Sequence, residues 1–234
     1  MQTYRIADLD VNYAPQYPML FSRSEKYKIP YDPEALQLEI PQDWVDDVRE
    51  NNPHLDDGTI EYMLTGSAYY RALLPLGGMM LHASAVVVDD AAYLFSAPSG
   101  TGKSTHTSLW LQKFGDRAYI LNDDKPALRV YDDGVFAFGT PFSGKFDISV
   151  NKRIPLRGIA FIERSESNSI TRKTEKEALY ALLNQTIRPQ EVEQYVDLLR
   201  VIRRILTQIP IYTLCCNMLP DAADVAYQAM KEGM

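Results

Sequence analysis

Cysteine is nearly missing from this chain of 234 residues: only Cys215 and Cys216 occur, adjacent in "IYTLCCN". A disulfide framework is thereby excluded, and a reducing, cytoplasmic setting is expected. Neighbours on a strand point to opposite faces, so the two thiols read as small packing groups rather than a redox pair. Basic residues are also short, 24 Lys and Arg against 31 Asp and Glu, for a net charge of −7. That balance excludes duplex nucleic acid as the main partner, because phosphate backbones need a basic surplus. No apolar run reaches the roughly 20 residues that cross a bilayer. The opening "MQTYRIADLDV" lacks the basic segment and apolar block of a signal peptide, so no membrane association is expected. Repeats, low-complexity tracts and linkers are absent too. What is present, 46% apolar and 24% charged residues, is the balance of an ordinary globule, read as one α/β domain over 1–234.

Along the chain, residues 1–53 hold short apolar runs broken by prolines ("YRIADLDVNY", "PMLFS", "YKIPYD", "LQLEIP"), which predict short strands of an irregular antiparallel region. From Asp56 to Leu76, apolar residues at spacings of three and four predict a helix, stopped by Pro75, Gly77 and Gly78. "MMLHASAVVVDDAAYLFS" reads as two strands joined at Asp89 and Asp90, with Val86 to Val88 buried. A helix from about Gly102 to Phe114 and the strand "AYILNDD" follow, the order of an α/β nucleotide-binding core. "PALRVYDDGVFAFGTPF" predicts a hairpin about Asp-Asp-Gly. "LRGIAFIER" and "NSITRKT" predict a further strand pair, then helices near 174–184 and 190–207, the strand "IPIYTLCC" and a last helix from Asp221.

The segment "LFSAPSGTGKSTHTSLW" carries the chemistry. It is close to G-x-x-x-x-G-K-[ST], with Ala97 where the first glycine is expected. An anion of several charges needs many backbone N–H groups aimed at one point with no Cβ in the way, and Gly100 and Gly102 permit such a turn. The helix that follows adds uncapped amides and its positive dipole end. Ser99, Gly100, Thr101, Gly102, Lys103, Ser104 and Thr105 are therefore the expected ATP-binding residues, with Lys103 reaching the β and γ phosphates and the Ser104 hydroxyl on Mg²⁺. A second Mg²⁺ ligand is needed at a neighbouring strand end. "NDDK" offers Asp123 and Asp124, the first 19 residues past Ser104 (123 − 104).

At these residues the chain resembles the HPr kinase/phosphorylase catalytic domain and, more distantly, the ATP-dependent phosphoenolpyruvate carboxykinases. "SGTGKST" is similar to the carboxykinase cradle and "NDDK" to the paired aspartates of both groups. His82, 22 residues before Ser104 (104 − 82), matches a histidine that the HPr kinases carry on the strand before their cradle. The resemblance implies a P-loop core with a mixed sheet, His82 and one aspartate beside the γ phosphate, and a further loop, "GTPFSGK", bringing Lys145 toward the substrate. It also admits self-association.

The function expected on these grounds is phosphoryl transfer from Mg-ATP to a hydroxyl of a protein, a peptide or a small molecule. Lys103 and the loop amides hold phosphate, Ser104 and Asp123 hold metal, and Asp124 with His82 acts as base. A carboxykinase-like reaction on a keto acid and a non-catalytic ATP-binding regulator or peptide-binding module are the other readings. His106 and His54 are expected to be a packing or surface residue and a loop residue.

Overall fold

A computed structural model describes residues 1–232. Strands β1 (Gln2–Ile6) and β2 (Leu9–Tyr13) form an antiparallel hairpin. Its two turn residues, Ala7 and Asp8, both have positive φ, the twist that a two-residue hairpin loop demands. Next, "PMLFS" forms helix α1 (Pro18–Ser24) and not the predicted strand. Pro18 sits in the first helical turn, where its fixed φ suits a helix and its missing N–H costs nothing. β3 (Lys28–Ile29) pairs with β1, and β4 (Leu36–Gln37) lies parallel to β2, so this four-stranded sheet, ordered β3-β1-β2-β4, is not purely antiparallel as expected. Helix α2 (Gln42–Asn51) was not foreseen, whereas α3 (Asp57–Leu73) was. The Asp56 carboxylate caps α3, accepting from the Thr59 N–H at 2.9 Å.

The larger sheet has nine strands. β5 (Gly78–Met80), β6 (Ala83–Val88) and β7 (Ala91–Ser96) precede helix α4 (Lys103–Phe114). β8 (Ala118–Asn122), the β9 (Ala127–Tyr131) and β10 (Gly134–Phe138) hairpin, and β11 (Arg153–Arg164) follow. After β12 (Ser169–Arg172) come α5 (Glu175–Asn184), α6 (Val192–Leu206), β13 (Ile211–Cys216) and α7 (Asp221–Glu232). The main path is β5-β9-β10-β11-β7-β6-β8. β11 is long enough to pair with β10 at its start and β13 at its end, which curls the sheet. β12 pairs with β13 and not with β11, so the strand pair predicted from adjacency is split by a strand from 40 residues later in the chain.

Alternation along the central strands feeds two cores. Ala85, Val87, Leu94 and Ile159 face one, with α3, α6 and the N-terminal sheet; Val86, Tyr93, Phe95, Ala160 and Leu214 face the other, under α4 and α7. β6 is therefore buried on both faces, as its unbroken apolar run predicted. Trp110 fixes α4 to the sheet: it is fully buried and meets Tyr93, Phe95, Phe114 and Tyr227 at ring-centroid distances of 4.9–5.6 Å. Each such pair contributes about 1 kcal/mol beyond its buried area.

Strand directions place the site. β7, β11 and β13 run parallel, and β6 runs against both β7 and β8. The carboxyl ends of β7 and β8 and the amino end of β6 consequently share one edge of the molecule, with Ala83 opposite Ser96 and Ala85 opposite Asn122.

Candidate active site

The loop after β7 turns at Gly100 (φ 76°) and Gly102 (φ 129°), conformations that side-chain-bearing residues rarely adopt. A Cβ built on either glycine would meet nothing within 4 Å, so open space lies beside the loop. Of the amides from Ser99 to Thr105, only that of Thr101 finds a backbone carbonyl, Pro98 O at 3.3 Å. The rest are unpaired donors at a helix N-terminus, the arrangement that favours an anion. Arg164, at the end of β11, donates to the carbonyls of Gly100 (2.6 Å) and Thr101 (3.1 Å), holding the oxygens of the loop to one side. Ala97, at the position of the missing glycine, is buried at the base of the loop and accepts from Lys103 Nζ at 2.8 Å. Burial lowers the Lys103 ammonium pKa, while the Asp124 charge opposes that shift. Ser104 and Thr105 are exposed in the first helical turn.

Asn122 organises the paired aspartates. Its buried side chain donates to Thr140 O at 3.0 Å and accepts from the amides of Asp124 (2.9 Å) and Lys125 (2.7 Å), folding "DDK" into a tight turn. Asp124 then meets His82 Nε2 at 3.2 Å and pairs with the Lys125 ammonium. Burial pushes the Asp124 carboxyl up, but the hydrogen bond from His82 and the charge of Lys125 outweigh it and hold the group at about 2. His82 lies just before β6 rather than within a strand. It is fixed at both ends by Gln185, whose carbonyl accepts from the His82 amide (2.8 Å) and whose side chain lies 3.0 Å from Nδ1.

Asp123 faces a different partner. Its carboxylate accepts from the Gly144 N–H at 2.6 Å, and burial raises its pKa, with that hydrogen bond opposing. "GTPFSGK" is thus brought to the aspartates through Gly144; Lys145 itself is exposed. Arg23 of α1 donates to Ser143 O (2.6 Å) and Gly144 O (3.1 Å), and Tyr62 of α3 donates to Ser143 O (2.6 Å) beneath the Arg23 guanidinium. Arg23→Ala should lower the local stability of this loop by about 2 kcal/mol, the worth of a charged donor's hydrogen bonds. Trypsin should then cleave after Lys145 faster than in the wild type; an equal rate would show that Arg23 clamps nothing.

His106 is a packing residue, as expected. Its Nε2 accepts from Trp110 Nε1–H at 3.1 Å, its ring lies 4.4 Å from Phe95, and burial pushes its pKa down to about 4. His54 is an exposed loop residue. Beside the loop that follows β7 lies a cleft of about 410 Å³, lined by Thr105, Ile162, Arg164, Cys216, Asn217 and Met218 among others. Among the described residues no cluster of three or more His, Cys, Asp or Glu is arranged to hold a metal by itself. The two cysteines are unpaired, and among the described residues no helix is long and apolar enough to cross a membrane.

Sequence reasoning missed Asn122, Gln185, Arg23 and Arg164. Only Asn122 carried a local signal, as the residue opening a turn. No protein-family description matches the chain, and no curated protein sequence matches it. Among solved structures, the HPr(Ser) kinase/phosphatase from Coxiella burnetii superposes with a TM-score of 0.40 at 11% identity, covering 66% of this chain and 99% of that one. It is a distant likeness of a mixed α/β architecture and does not place the chain in that family.

Proposed function

We propose that this chain is a phosphotransferase that moves the γ-phosphoryl group of Mg-ATP to a hydroxyl acceptor. The observation that carries this reading is a loop of unpaired amides with its lysine, at the same sheet edge as the His82–Asp124–Lys125 cluster. The charges of Asp124 and Lys125 both act on Lys103, so the loop and the cluster share one electrostatic neighbourhood. The cleft beside the loop has the volume that a nucleoside needs.

The residues divide the work. Loop amides and Lys103 bind the β and γ phosphates. Ser104 Oγ and the Asp123 carboxylate are hard oxygen donors of the kind Mg²⁺ takes and would hold the ion. Magnesium, when bound, supplies charge neutralisation across the β and γ phosphates. The acceptor oxygen forms its bond to the γ phosphorus as the bond to the bridging oxygen breaks, leaving ADP, and the acceptor proton passes to Asp124. A carboxyl held at about 2 is a weak base. Its main task is to accept the hydroxyl's hydrogen bond and orient it, which suffices for a loose transition state.

Calorimetric titration with ATP, with and without Mg²⁺, tests the reading. Binding is expected in both cases, tighter with the metal, followed by ADP formation when a hydroxyl acceptor is supplied. No ATP binding at millimolar concentration would refute it; binding with no phosphorylated product from any hydroxyl-bearing fraction of a lysate would leave a non-catalytic nucleotide binder.

A further inference from the structure

Helix α6 is apolar on two sides. Leu198, Val201, Ile202 and Ile205 are buried against the larger core. Val192, Val196 and Leu199, at i, i+4 and i+7, form a second stripe pointing away from it, with relative exposures of 71%, 46% and 37%. Valine is a poor helix former, and a helix whose outer face met only water would carry straight-chain polar residues there. Charge runs along the stripe in a gradient: Glu193 on one flank in the first turn, Arg200 on the same flank two turns later, and Arg203 at the far end of the stripe itself, four residues after Leu199, all exposed.

We propose that this stripe is the face on which a second copy of the chain docks, two α6 helices lying antiparallel about a two-fold axis. The charge order decides the geometry. Glu193 and Arg200 are seven residues apart, two turns, and so lie on the same flank of the stripe. An isologous antiparallel contact brings equal flanks together with their directions reversed, so Glu193 of one copy meets Arg200 of the other, twice over. A parallel two-fold contact would instead set this flank against the opposite one, where Tyr195 and Ile202 lie, and would leave Glu193 and Arg200 without each other. Within one copy, Arg200 is paired with Asp197 one turn away and Arg203 has no ion-pair partner among the described residues, so both can extend across the contact. Val196 and Leu199 fall near the two-fold axis, where apolar contact is greatest.

Sedimentation velocity on the whole chain over a micromolar range tests this. The wild type is expected to dimerise, and Val196→Glu and Arg200→Glu to raise the dissociation constant at least about tenfold each. The double variant Glu193→Arg with Arg200→Glu restores the charge pairing only between copies, and should recover dimerisation while Arg200→Glu alone does not. Circular dichroism melting of each variant checks that the surface changes leave the fold intact. A chain that stays monomeric throughout would overturn the proposal and leave the stripe to a different partner. An oligomer indifferent to all three variants, or a double variant no better than Arg200→Glu, would overturn it as well.

Discussion

Lys103→Ala is expected to reduce ATP turnover at least about a hundredfold, the loss typical of removing one preorganised charge from a transition state. The ligand-free fold should survive. Lys103 makes one hydrogen bond within the chain, to Ala97 O, worth about 1 kcal/mol. Against that stands the cost of keeping an ammonium at 8% exposure, the same desolvation that lowers its pKa. Lys103→Met keeps the aliphatic stem and removes the charge, so its melting temperature without ligand should equal or exceed that of the wild type. The rise in melting temperature on adding Mg-ATP should vanish in both variants. Turnover at the wild-type level in either would remove the cradle from the mechanism.

A second large effect is expected for Asp124→Asn. The exchange preserves shape but takes away the charge that His82 and Lys125 both contact. Turnover should fall by about two to four orders of magnitude, the range for a lost proton acceptor, with a much smaller change in nucleotide affinity. There is a pH signature as well. The folded-state pKa of Asp124 lies below its ordinary value of 3.8, at about 2. Its ionisation therefore stabilises the fold above about pH 4, and the contribution, about 2 kcal/mol, is lost as pH falls toward 2. Asp123, raised by burial, acts with the opposite sign. In urea titrations at pH 7 and pH 3, Asp124→Asn should shrink the acid-induced loss of stability; an unchanged or larger loss would contradict the charge cluster described for the folded chain.

Much of the site could be read from the sequence because its signals are local. Gly100, Gly102 and Lys103 announce a turn and a helix start, and Asp123 and Asp124 follow a short apolar strand. The apolar run Val86 to Val88 was expected to be buried, and the strand that holds it is covered on both faces. Other parts depended on chain segments far apart. Arg23 reaches Ser143 across 120 residues, Gln185 reaches His82 across 103, and Arg164 reaches Gly100 across 64. No periodicity or spacing encodes such partners; they are decided by strand order, which places β13 between β11 and β12. The strand expected at "PMLFS" failed for a different reason, since a run that short fits either period and Pro18 settled it as a helix start.

Lys103 is held in place by its own chain. A free lysine side chain would surrender up to about 2 kcal/mol of rotamer entropy on being immobilised by a ligand. Here the stem is already packed and the ammonium already engaged with a neutral oxygen of its own loop. On the function proposed above, a phosphate would only have to take over from Ala97 as acceptor, offering a charged oxygen for an uncharged one, so recognition at this position would be an exchange of partners in a fixed socket.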